Sequence, residues 1–196
     1  MRRKVQFIQG GYYHIYNRGA GRNPIFRDED DYSYVLRAMK KYSAQFSFAI
    51  IAYCLMPNHY HWLVRQDSAL SVQLLPQRVF NGYSKNFNKR HERSGTLFEG
   101  PYKANPVDSD EYLRHLCRYI HANPLKDGIV SALDMWPYSN IHEWMGWRTG
   151  TLFDPAFIND FFPDRKGYHS WVLDYVAIRQ LPKDLAGYLA ALEGDA

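Results

Sequence analysis

Residues 46–65 read Phe46-Ser47-Phe48-Ala49-Ile50-Ile51-Ala52-Tyr53-Cys54-Leu55-Met56-Pro57-Asn58-His59-Tyr60-His61-Trp62-Leu63-Val64-Arg65. The first ten are apolar except for Ser47 and rich in strand formers, Pro57-Asn58 is a turn signal, and residues 59–65 resume as a strand, so the stretch is a hairpin. Its apolar run is too short to cross a bilayer and reads as a buried strand. In the second arm, alternation puts His59 and His61 on one face and sends Tyr60 and Trp62 to the other. Two imidazoles so placed can bind one divalent ion. Packing or surface histidines are the competing reading. No third histidine or cysteine stands at structural-zinc spacing, so an ion held here would keep positions open for substrate oxygens and water.

Working outward from the hairpin, Tyr12-Tyr13-His14-Ile15-Tyr16-Asn17 is aromatic and β-branched and stops at Arg18-Gly19, which makes it a strand. Asp28 to Asp31 suit a helix start, and Tyr34, Val35, Leu36, Ala38, Met39 and Tyr42 continue an apolar helical face. A second helix fits residues 70–91, with a break expected near Pro76. Thr96-Leu97-Phe98 marks the neighbourhood of a weakly signalled fourth strand. A third helix fits residues 109–123, capped by Ser109 or Asp108 and halted by Pro124. Strand–helix–strand–strand–helix–strand is the split βαβ, ferredoxin-like α+β order, here followed by one more helix. Beyond Gly128 the pattern loosens. Trp136-Pro137-Tyr138-Ser139 reads as a packed loop, residues 154–162 as a short helix, and 168–180 and 183–192 as further helices.

The chain has 196 residues and 46% apolar composition, enough for one core with a modest extension. Cys54 and Cys117 have no disulfide-framework or zinc spacing, and no signal or anchor segment is visible, so a cytoplasmic location is expected. Net charge is +4, but it is unevenly spread. Residues 1–27 hold Arg2, Arg3, Lys4, Arg18, Arg22 and Arg27 with no acid, and residues 78–103 hold Arg78, Lys85, Lys89, Arg90, Arg93 and Lys103 against Glu92 and Glu99. Such excess attracts polyanions, although a solvated basic face gives the same pattern. Tyr83, Lys85, Phe87, Lys89 and Arg90 interleave aromatics and cations as a single-strand platform would. Tyr83 and Phe87, four apart, equally suit a core. Arg2 to Lys4 form a basic arm that suits phosphate or groove contact, or an ordinary terminal tail.

On the third helix, Leu113, Leu116, Cys117 and Ile120 share the core face, while Tyr112, His115, Tyr119 and Asn123 share an adjacent one. Tyr119 and Asn123 are one turn apart and project together. His121 points away from Tyr119, which makes Asn123 the better third ligand for an ion on His59 and His61. Tyr112 reads as a packing residue.

These residues carry a resemblance. Met56-Pro57-Asn58-His59-Tyr60-His61-Trp62-Leu63-Val64 resembles the HUH motif region of single-tyrosine transposases. Tyr119-Ile120-His121-Ala122-Asn123-Pro124-Leu125-Lys126-Asp127-Gly128 resembles the tyrosine-bearing helix of their REP-associated branch. Tyr12 to Gly19, Gly95-Thr96-Leu97-Phe98-Glu99-Gly100 and Trp136-Pro137-Tyr138-Ser139 are similar in kind and order, so the likeness spans residues 8–145. Pro101 departs from the pattern, which often has an arginine before the aromatic–lysine pair represented by Tyr102-Lys103, and one phosphate contact is in doubt accordingly. Nothing carries over beyond Gly146.

The resemblance implies a catalytic domain over residues 1–145 and a helical extension of unassigned role over 146–196. It makes Tyr119 the nucleophile, His59 and His61 metal ligands with Asn123 in the third-ligand position, and Mg2+ or Mn2+ the ion. The implied reaction is cleavage and rejoining of single-stranded DNA beside REP-like hairpins through a 5′-phosphotyrosine, that is, DNA transposition. The candidate DNA-binding residues are Arg2, Arg3, Lys4, Arg18, Tyr83, Lys85, Lys89, Arg90 and Lys103. A monomer is expected, since the matched segments favour the REP-associated branch over the dimeric insertion-sequence enzymes. Two other readings stand: a non-catalytic single-stranded DNA- or RNA-binding module on the same scaffold, and a domesticated HUH nickase. The Lys/Arg-Gly-aromatic signature of RNA-recognition strands is absent. His115, one turn from Tyr119, could assist it as a base, but a packing role suits it as well.

Overall fold

The computed structural model describes residues 6–178 and Gly187. Arg2, Arg3, Lys4, the helix expected over 183–192 and the end of that expected over 168–180 lie outside the described residues. The elements run β1 (Tyr12–Arg18), α1 (Glu29–Phe46), β2 (Phe48–Leu55), β3 (His59–Gln66), α2 (Leu74–Arg90), β4 (Lys103–Val107), α3 (Asp110–Lys126), α4 (Ile141–Met145), α5 (Pro155–Phe161) and α6 (Arg165–Ile178). The four strands form one antiparallel sheet in the order β2-β3-β1-β4, the ferredoxin-like arrangement expected.

Alternation along the central strands divides two cores. Tyr13, Ile15, Tyr60, Trp62 and Val64 face α1 and α2, where Val35, Met39, Val79, Tyr83 and Phe87 close the layer. Leu63, Cys54 and Ala52 face α3, which brings Leu113, Leu116, Cys117 and Ile120 onto the sheet. Both helix starts are capped by the side chains that sequence suggested. Asp28 accepts from the Asp31 N–H at 3.1 Å and Ser109 from the Tyr112 N–H at 3.2 Å, each worth about 1 kcal/mol.

Three local expectations shift. The fourth strand, expected in the neighbourhood of residues 96–98, is β4 just beyond them, and of those three residues only Phe98 forms an isolated bridge, to Gly19. Pro106 is tolerated in β4 because the strand is at the sheet edge. Pro76 does not break α2, since it sits in the first turn, where no intrahelical donor is required. Pro124 does not halt α3 either. It removes one donor, and the ladder resumes with Asp127 N–H to Asn123 O at 2.9 Å, carrying the helix to Lys126.

The Trp136-Pro137-Tyr138-Ser139 loop extends the free edge of β2. Leu55 N–H donates to Tyr138 O at 2.9 Å, Trp136 Nε1 donates to Leu55 O at 3.0 Å, and Ser139 bridges Cys54. The next residue, Asn140, is fully buried. Its Oδ1 accepts from Tyr53 N–H at 2.8 Å and pairs with His121 Nε2 at 3.0 Å, while its Nδ2 donates to Ile51 O at 2.9 Å and Leu152 O at 3.2 Å. One amide therefore ties β2, α3 and the following loop. Asn140→Ala would orphan several buried groups at once and is expected to cost about 3 kcal/mol or more, read as a lowered urea midpoint at unchanged m-value.

Candidate active site

The register Tyr16↔His61 and Arg18↔His59 puts Tyr12, His14, Tyr16 and Arg18 on the same sheet face as the two histidines. Lys103, opposite Tyr16 on β4, joins them, with its Nζ 5.8 Å from the Tyr16 ring centre. α3 lies across this face. Its Tyr119 ring meets His61 edge-on at 5.3 Å between centroids and is only 2% exposed. From α6, Tyr175 meets the Tyr119 ring edge-on at 6.5 Å. Asn123, 1% exposed, donates from Nδ2 to Tyr119 O at 2.8 Å, while its Oδ1 is buried with no hydrogen-bond partner. The same amide is near enough to His59 to act on its imidazole as a hydrogen-bonding neighbour.

The histidines are themselves oriented. His59 Nδ1 lies 2.7 Å from Asn58 Oδ1, and His61 Nδ1 lies 3.0 Å from His14 Nε2. Burial pushes the pKa of both below the usual imidazole value. For His61 the neighbouring imidazoles of His14 and His59 and the Lys126 ammonium add to the depression. For His59, Asp127 and Asn123 oppose the burial effect, and Lys126 and Arg18 reinforce it. Neutral imidazoles at neutral pH keep lone pairs for a cation. Two imidazoles and an orphaned amide oxygen suit Mn2+, and Mg2+ less closely because of its oxygen preference.

The structure brings His59, His61, Tyr119 and Asn123 together and puts Arg18, ion-paired to Glu99 at 2.5 Å, and Lys103 on the same sheet face. Other expectations do not converge there. Tyr83 is fully buried under α1, its hydroxyl donating to Ile25 O, so the base-stacking role is corrected to core packing. Arg90 is drawn to Asp28, Asp30 and Asp31. Lys85 and Lys89 are exposed on α2, which covers the opposite sheet face. His115 lies 2.8 Å from Arg118 and against Trp171 of α6, so it serves packing rather than Tyr119. Tyr112 is half-buried beside the core, as a packing residue should be.

Two participants were missed. Lys126 stands seven residues after Tyr119, with Nζ 5.1 Å from that ring and 3.3 Å from Asp127. Its helical spacing was the available signal. His14 could be found only by knowing that β1 pairs with β3. Asp28, Asp31 and His91 form another cluster of donors close enough to share an ion. Their atoms are engaged, however. Arg90 bonds both carboxylates, Arg27 N–H donates to Asp31 Oδ2 at 3.0 Å, and His91 Nε2 sits 2.9 Å from the same oxygen. The cluster is an ion-pair clamp between α1 and α2.

His121 turns away, as expected. It bonds the Tyr168 hydroxyl at 2.6 Å and Asn140, joining α3 to α6. His121→Phe should lose about 2–3 kcal/mol of stability in urea titration and leave divalent-ion affinity unchanged. Loss of ion binding in a folded variant would argue for His121 as a ligand instead.

Similar proteins are found both by sequence and by structure. The family model described as Transposase IS200 like matches residues 8–123. A protein of Haemophilus influenzae, provisionally named a REP-associated tyrosine transposase, is 25% identical over 115 residues, which cover 54% of this chain and 65% of that protein. The chain thus spans just under two thirds of the length of this relative. Among solved structures, a REP-associated tyrosine transposase bound to a REP hairpin superposes with a TM-score of 0.62 at 18% identity, covering 79% of this chain and 94% of that one. A Deinococcus radiodurans protein, described as a candidate transposase, reaches a TM-score of 0.41 at 15% identity, covering 61% and 93%. With a family model spanning more than half its length and the HUH pair and tyrosine helix meeting on one sheet face, the chain belongs to the IS200-like transposase family.

Proposed function

We propose that the protein cleaves and rejoins single-stranded DNA beside hairpins through a 5′-phosphotyrosine on Tyr119, with a divalent ion at His59, His61 and Asn123. The observation that carries this reading is the meeting of the Tyr119 ring with His61 at 5.3 Å, beside a buried amide oxygen that lacks a partner. Mn2+ or Mg2+, when bound, would polarise the scissile phosphate as a Lewis acid. The Tyr119 Oη attacks phosphorus as its proton passes to solvent, the P–O3′ bond breaks, and the departing oxygen leaves as a 3′-hydroxyl. Because the phosphotyrosine keeps the ester bond energy, a second 3′-hydroxyl can reverse the step and join a new end. Arg18 and Lys126, both felt electrostatically at His59, would supply positive charge to the phosphate on exchanging their present partners, Glu99 and Asp127. Tyr175 packs over Tyr119, so this contact has to open when DNA arrives.

Residues 1–145 carry the chemistry in this reading, and the segment after Gly146 supports α3. Among the described residues no helix is long and apolar enough to cross a membrane. A cytoplasmic monomer acting on chromosomal hairpins fits the family. Light scattering at micromolar concentration should report one chain per particle, and a stable dimer would contradict this.

The activity is tested with labelled single-stranded DNA carrying palindromes from the flanks of the protein's own gene, incubated with Mn2+ or Mg2+. Denaturing gels should show a covalent protein–DNA band that requires the ion and disappears in Tyr119→Phe and His59→Ala. Hairpin binding that persists in chelator with no band would favour the binding-module reading. The DNA path makes a separate prediction. Lys103→Ala should lower single-strand affinity and reduce the salt slope by about 0.7, whereas Lys85→Ala and Lys89→Ala, on the far layer, should leave both unchanged.

A further inference from the structure

Resting on the metal reading above, we infer that His14 is a positioning residue for His61: it accepts the Nδ1 proton of His61 and so turns the Nε2 lone pair toward the ion. His14 is fully buried on the central strand, with Nε2 3.0 Å from His61 Nδ1. The two ring planes lie within 23° of each other with centroids 5.1 Å apart, so the rings meet edge to edge as an N–H···N bond requires, while Tyr16 stacks on His14 at 4.8 Å and 26° and lies 5.9 Å from His61. The three rings pack as a triangle, which restricts rotation of both imidazoles.

The chemistry of the contact allows one proton between the two nitrogens. If His14 donated, the proton of neutral His61 would sit on Nε2, and that nitrogen could not bind a cation. If His61 donates, its Nε2 is a ligand, and the pull of an ion on that nitrogen strengthens the Nδ1–H bond to His14. His59 receives the same service from Asn58, whose Oδ1 can only accept, at 2.7 Å from Nδ1. The matching arrangement on both ligands is what identifies the direction of the His61–His14 bond. Outer partners of this type change metal affinity by about 10–100-fold when removed.

The experiment uses the full chain and Mn2+ alone, followed by the electron paramagnetic resonance signal of the free ion. His14→Phe keeps an aromatic ring against Tyr16 but has no acceptor, and should weaken Mn2+ binding by about 10–100-fold. His14→Gln, which restores an acceptor, should recover part of that loss. Thermal melts by circular dichroism report the fold of each variant. His14→Phe binding Mn2+ within about threefold of wild type, while His59→Ala loses it, would overturn this inference alone. Wild-type protein that binds no Mn2+ would overturn the metal reading as well. Nitrogen-15 histidine spectra of the unmutated protein decide the question independently of how the variants fold. A His61 tautomer protonated at Nδ1 is expected, and one protonated at Nε2 would overturn the proposal.

Discussion

The antiparallel register of β1 on β3 is the constraint from which the site follows. Tyr16 opposite His61, and Arg18 opposite His59, bring an aromatic, a buried imidazole and a cation onto the face that carries the histidine pair. A slip of one residue would send every one of these side chains to the other face and bring Tyr13 and Ile15 into the site. The register is enforced from both sides, because Tyr60, Trp62 and Val64 must meet α1 and α2 while Leu63 and Cys54 must meet α3. The apolar cores thus specify where the polar residues go.

A polar centre enclosed between two apolar layers needs its groups satisfied, and most are. Asn58 and His14 take the histidine Nδ1 atoms, and Asn123 Nδ2 takes a helix carbonyl. Burial keeps the imidazoles neutral, which lowers the cost of enclosing them and leaves them able to bind a cation. Two exceptions are Arg18 Nη1 and Asn123 Oδ1, and the latter, a buried acceptor beside His59 with no close hydrogen bond, is one that an ion would engage. By contrast, the acids at the start of α1 are fully occupied by Arg90 and His91, and they hold two helices together.

Local periodicity made the hairpin, α1, α3 and the His59–His61 and Tyr119–Asn123 pairs legible, because each lies within one element and obeys a period of 2 or 3.6. β4 was obscure because an edge strand of five half-buried residues with a proline carries little apolar signal. Tyr83 and Phe87 fitted core and nucleic-acid readings equally until α1 was seen to cover them. His14 and Asn140 act across 47 and 87 residues of chain, on His61 and Tyr53 respectively, and no local pattern announces such partners. The distinction between the two clusters of candidate ligands also rests on tertiary contacts: Arg90 reaches Asp28 across 62 residues.

The central claim is that the sheet and α3 build a cation site at His59, His61 and Asn123. Anomalous diffraction from crystals grown with Mn2+ tests it directly. The account predicts a peak bonded to both histidine Nε2 atoms and to Asn123 Oδ1, beside the Tyr119 ring. A peak at Asp28, Asp31 and His91 with the histidine pair empty, or no ordered ion at any concentration, would contradict it.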